Sequence, residues 1–157
     1  MYSNIDGRNV PAVFVMVKQP DVVHVIKEEQ KLLPAPAKKE ITSTEAAVIK
    51  RPMVFGKLGQ IEIPDGAKEQ LDSVANILAN YPDVNILIIG HTCDIGSATA
   101  NLKVGEARAK AAAQYLISKG VAAGRIETKS EGDTNPLVPN TSEENRRKNR
   151  RVTIVLQ

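Results

Sequence analysis

Hydrophobic residues after residue 52 recur with definite periods, and each period predicts an element. Between Asp65 and Asn80 the apolar positions Leu71, Val74, Ile77 and Leu78 recur at three and four, the stripe of an amphipathic helix. Asp65 is placed to cap that helix, and Asn80, Pro82 and Asp83 to end it. A short alternating segment, Gln60-Ile61-Glu62-Ile63, reads as a strand before it. Residues 84–89 are almost continuously aliphatic, which suits a strand in the middle of a sheet with at least one face covered. A second helix is predicted over residues 98–119, with Gly120 at its C-terminal cap. Residues 125–131 alternate and are rather polar, a further strand. The turn-rich EGDTNPLVPNTSEEN follows, in which Ser142, Glu143 and Glu144 open a short helix with acids at its positive end. The β-rich run RVTIVL closes the chain. The pattern predicts an α/β two-layer sandwich, β-α-β-α-β(-α)-β, with one mixed sheet and helices packed on it.

Before residue 53 the pattern is different. PAVFVMVK and DVVHVIK are short β-branched clusters on either side of Pro20-Asp21, and LLPAPAKKEITSTEAAVIKRP shows neither period, the composition of a linker. The expected division is an arm and linker over 1–52 and a folded domain over 53–157. The apolar run at residues 12–17 is too short to cross a bilayer and has the wrong flanks for a signal peptide, so no membrane insertion by this chain is expected. If the protein works outside the cytoplasm, the sequence is expected to be a mature or truncated piece.

Composition narrows the chemistry. With 3% aromatic residues and no Trp there are no stacking platforms for single-stranded nucleic acid, and no nucleic-acid partner is expected. The net charge of +3 is local: RRKNRR, residues 146–151, holds five basic side chains and reads as a solvated helix end before a phosphate patch. One cysteine excludes an internal disulfide. His91 and Cys93 lie two apart with no third orienting group, which argues against a catalytic thiol, and one Cys with one nearby His leaves a zinc site short of ligands. No catalytic residue, metal or cofactor is expected.

A different arrangement suits IIGHTCDIGSATANLKVGEARA. A helix starting near Ala98 turns unpaired N–H groups and its positive end toward the preceding loop, which favours a carboxylate there. Asn101, Val104, Gly105 and Arg108 form one stripe of that helix, and Arg108 adds a fork that grips carboxylates. Asp94 supplies the opposite charge, so the pair is complementary to a zwitterionic amino-acid end. Gly105 and the alanines that follow let the helix lie close to the sheet. An equally simple reading is that Asp94 caps a loop and Arg108 makes a surface ion pair with Glu106, Asp94 or another acid.

The segment resembles the OmpA-like peptidoglycan-binding domain, found also in peptidoglycan-associated lipoproteins and flagellar motor stator proteins. The family core reads G-H-T-D-x-x-G, then Asn five later and R-A seven after that; Gly90-His91-Thr92, Gly96, Asn101 and Arg108-Ala109 keep this spacing. Gly132, Pro136, Asn140, Arg146 and Asn149-Arg150-Arg151-Val152 match the family's second block. The resemblance covers about residues 53–157. It implies non-covalent binding of the cell-wall stem peptide at diaminopimelate, anchoring an outer-membrane protein or lipoprotein to the wall from the periplasmic face of the outer membrane. By position, Arg108 holds the ligand carboxylate, Val104 packs beside it, Thr92 and Asn101 shape the site, and Arg150 is the first arginine of N-R-R. The family acid is replaced by Cys93, with Asp94 one place later; the expectation is that Asp94 takes over the ammonium contact. The alternative is an interaction domain that keeps the fold, has weakened or lost peptidoglycan binding, and acts through the N-terminal β-branched arm or by self-association, for instance as a homodimer.

Overall fold

A computed structural model describes residues 40–157, so the two β-branched clusters expected near the N-terminus lie outside the described residues. The first described element is a helix where a linker was expected. Thr42 caps α1 (Ser43–Lys50): its hydroxyl accepts from the Glu45 N–H at 3.2 Å, and the Glu45 carboxylate accepts from the Thr42 N–H at 3.0 Å. This reciprocal capping box starts a helix that is too short to persist alone. Tertiary contact holds it, since Ile49 is fully buried in the core and the Glu45 carboxylate accepts the Tyr81 hydroxyl at 2.7 Å. The linker reading is therefore corrected for these residues, and Glu40–Gln157 form one compact unit.

A two-residue strand, β1 (Met53–Val54), comes next. The segment 60–63 expected as a strand is not one: residues 57–60 form a turn closed by the Gln60 N–H on the Lys57 carbonyl at 3.2 Å, and Ile61 is exposed. Then follow α2 (Asp65–Asn80), β2 (Ile86–His91), α3 (Ala98–Ser118), a 3₁₀ turn at Ala123–Arg125, β3 (Ile126–Gly132), α4 (Glu143–Asn149) and β4 (Arg151–Leu156). Asp65 is the first residue of α2 rather than its cap, where its charge still complements the helix dipole.

The sheet runs β1-β4-β2-β3. β2 pairs parallel with β3, a connection that needs the α3 crossover, and antiparallel with β4, so Ile88 lies opposite Thr128 on one side and Ile154 on the other. β1 pairs antiparallel with β4 at the edge. Alternate residues of β2 and β4 (Ile86, Ile88, Val152 and Ile154) meet Leu71, Val74 and Leu78 of α2 and Ala109, Ala112 and Leu116 of α3 in one aliphatic core. The mixed α/β sandwich read from the pattern is the fold observed.

One contact fixes α3 on the sheet. A Cβ on Gly90 would collide with the backbone carbonyl of Gly105, and a Cβ on Gly105 would strike the Ser130 hydroxyl. Only glycine at both positions lets helix and strand backbones touch, and this sets the loop between β2 and α3.

Candidate functional site

That loop, residues 92–97, faces the 57–60 turn across a cavity of about 200 Å³. Gly96 has φ of 99°, a conformation that glycine adopts freely, and Ser97 caps α3 by accepting from the Ala100 N–H at 3.1 Å. Part of the helix end expected to face an anion is thus already satisfied by Ser97. Six of the seven residues expected at the site line the cavity: Thr92, Cys93, Asn101, Val104, Arg108 and Arg150. Leu58, Gly59, Ile95, Gly96 and Ala100 complete it. Leu58 and Ile95 are cavity residues that the sequence pattern did not single out.

Arg108 is 1% exposed, which removes the surface ion-pair reading; Glu106 pairs with Lys110 instead, at 2.6 Å. Its guanidinium donates to three backbone carbonyls, Gln60 at 2.6 Å, His91 at 3.0 Å and Lys57 at a long 3.5 Å, and lies 5.2 Å from the Phe55 ring centre. Carbonyl dipoles and a ring face steady a buried cation without neutralising it. Burial brings its pKa down to about 10, with Cys93 opposing the shift and the Arg150 charge adding to it, so the group stays charged at neutral pH. These carbonyl acceptors carry no side-chain signature, and sequence reading could not find them.

Arg150, 2% exposed, reaches the cavity from the C-terminal cap of α4, just before β4. It donates to the Glu143 carboxylate at 2.6 Å, to the Gly56 carbonyl at 2.9 Å and to Cys93 Sγ at 3.6 Å. Thr92 Oγ1, Asn101 Nδ2 and Arg150 Nε are buried with no partner among the described residues. Unpaired buried polar groups are costly, and all three belong to side chains that line this one cavity.

Asp94 is the seventh expected residue, and it does not line the cavity. Its carboxylate accepts from Arg146 Nε at 2.8 Å on the partly exposed rim. The expected charge pair across the cleft is therefore not the pair that forms, because Arg146 on α4 is the nearer cation. The RRKNRR run is correspondingly not a simple solvated helix end. Arg146 holds Asp94, Arg150 is buried, and Arg151 donates to the Asn149 and Asn135 carbonyls. Asn149 fixes the preceding turn by accepting the N–H groups of Leu137 and Val138.

His91 and Cys93 have separate surroundings: β2 ends at His91, where the β2–β3 register shifts, and Cys93 lies in the loop beside Arg150. The imidazole turns to Thr153 Oγ1, 3.2 Å away, and to Glu131, 3.9 Å away. No group of three His, Cys, Asp or Glu able to hold a metal occurs among the described residues.

An open α/β sheet carrying a donor-rich, arginine-floored cavity defines a small binding domain. The chain belongs to the OmpA family, whose model matches residues 57–150. It is 39% identical over 117 residues to the peptidoglycan-binding protein ArfA of Mycobacterium tuberculosis, covering 74% of this chain and 36% of that protein. It is 38% identical over 91 residues to outer membrane protein A of Bordetella avium, covering 58% of this chain and 46% of that one. The chain thus spans less than half the length of these relatives. The crystal structure of the peptidoglycan-associated lipoprotein from Burkholderia pseudomallei superposes with a TM-score of 0.66 at 30% identity, covering 69% of this chain and 91% of that one. By name these relatives are a peptidoglycan-binding protein, an outer-membrane protein and a peptidoglycan-associated lipoprotein.

Proposed function

We propose that the OmpA-like domain binds peptidoglycan non-covalently and so anchors its parent protein to the wall, from the periplasmic face of the outer membrane. The bound group is the carboxylate end of the stem-peptide diaminopimelate, held by Arg108, with Thr92, Asn101 and Arg150 as further donors and Val104 against its aliphatic part. The observation that carries this reading is Arg108: a buried guanidinium with no carboxylate partner among the described residues, beside a cavity with unpaired donors. A cavity of about 200 Å³ is smaller than the roughly 300–1,000 Å³ of drug-sized pockets and suits one amino-acid end group. The relatives' names support the same polymer.

Sacculus pull-down compares the wild type with Arg108→Ala, with circular dichroism to establish that both are folded. Retention of the wild type alone is the expected result, and equal retention of both sinks this site. A competing reading, an interaction domain that self-associates and has lost the ligand, draws on Asp94 being held by Arg146. A flat titration of folded protein with a diaminopimelate muropeptide would favour it.

A further inference from the structure

An amino-acid end group brings an ammonium as well as a carboxylate, and this cavity treats the two unequally. Its charged side chains are Arg108 and Arg150, and among the described residues none of its lining side chains is an acid. The thiol of Cys93, 1% exposed, stands between the loop and Arg150. The two nearest acids are already engaged: Asp94 by Arg146 at 2.8 Å and Glu143 by Arg150 at 2.6 Å, the latter on a carboxylate that is 69% exposed. The unpaired atoms Asn101 Nδ2 and Arg150 Nε are donors, and Thr92 Oγ1 is a hydroxyl that donates equally well. Two of these three atoms can only donate, which matches a carboxylate rather than an ammonium. An ammonium placed beside the two guanidiniums meets like charge, with no acid among the cavity's lining side chains to receive it.

Resting on the peptidoglycan reading, we infer that the cavity selects a carboxylate end whose neighbouring nitrogen is uncharged over the free zwitterion. A diaminopimelate centre whose amine is tied up as an amide has this chemistry, and so does a plain peptide carboxylate. Cys93 is then a specificity-determining residue: a thiol tolerates the neutral amide where a carboxylate would demand the cation. Asp94 belongs to the rim.

Isothermal titration tests this with four probes: a diaminopimelate-ended muropeptide with its terminal amine free, the same compound N-acetylated, D-alanine and N-acetyl-D-alanine. The wild type is expected to bind each acetylated probe several-fold more tightly than its free-amine counterpart, equal affinities overturning the selectivity, and Asp94→Asn to keep that order. Cys93→Asp is expected to reverse the order by about tenfold, the scale of one charged hydrogen bond. Wild-type preference for the free amine by about tenfold, abolished in Asp94→Asn, overturns the inference, because Asp94 then swings in to meet the ammonium. If the acetylated muropeptide binds and N-acetyl-D-alanine does not, the amide-linked centre is the source of the carboxylate. If both muropeptides are flat while N-acetyl-D-alanine binds and D-alanine does not, the charge selectivity stands and the wall-binding reading falls. Flat titrations with all four probes on folded protein overturn both. Should Cys93→Asp fail to fold, the wild-type comparison decides alone.

Discussion

His91 is buried with its charge-bearing form disfavoured. Burial first, then the Arg151 charge, and more weakly that of Lys129, bring its pKa to about 4 against the pull of Glu131. The unfolded chain keeps the ordinary value of about 6.5, so as pH falls through that value the unfolded state takes the proton first and stability declines until about pH 4. Between about pH 7 and pH 5 the loss from this residue is about 2 kcal/mol. Urea unfolding at both pH values should show a smaller drop in His91→Gln than in the wild type; equal drops would remove His91 as the source. Arg108 has the opposite standing, a charge kept while buried. Arg108→Ala strands the carbonyls of Gln60 and His91, at a cost of about 1–3 kcal/mol by denaturant unfolding, whether or not ligand is present. Its place on the stripe with Asn101 and Val104 was legible from helical spacing. The partnership of Asp94 with Arg146 was not, because it joins residues whose nearness depends on how α4 lies against the loop.

At the scale of elements, legibility followed period and length. The long helices α2 and α3 and the strands β2 and β4 have enough repeats to declare themselves, and they stand within a few residues of where the pattern places them. Helix α1 spans barely two turns inside a Pro- and Lys-rich stretch, and a two-residue β1 has no period to read. Removing the buried side chain of α1 tests whether it belongs to the fold: Ile49→Ala should cost about 2–4 kcal/mol, and a change within about 0.5 kcal/mol would return the segment to the status of a linker. The glycine contact between β2 and α3 makes a sharper contrast. Gly105→Ala drives a methyl group against the Gly90 carbonyl and Ser130, and should cost about 3 kcal/mol. Gly66→Ala, exposed in the first turns of α2 with nothing within 4 Å of the new methyl group, should stabilise by up to about 1 kcal/mol.

Over the whole domain, the cavity lies where segments distant in sequence converge: the 57–60 turn after β1, the loop into α3 with the first turns of that helix, and Arg150 between α4 and β4. Arg108 ties the turn to the end of β2 through the Gln60 and His91 carbonyls, and Arg150 ties Gly56 to α4 through Glu143. On the proposed reading, a ligand carboxylate on both arginines would brace parts that otherwise separate as the domain unfolds. Binding to the folded state alone adds stability by mass action, about 2.7 kcal/mol at a hundredfold excess over Kd, which for a domain of this size raises Tm by roughly 11 °C. Thermal melts with and without a muropeptide that titration shows to bind should reveal this rise in the wild type and none in Arg108→Ala. Hydrogen exchange should slow together in the 57–60 turn and the 92–97 loop. A rise of equal size in both proteins would place the ligand elsewhere on the surface, and protection confined to one segment would show that the cavity is not closed by its two sides acting together.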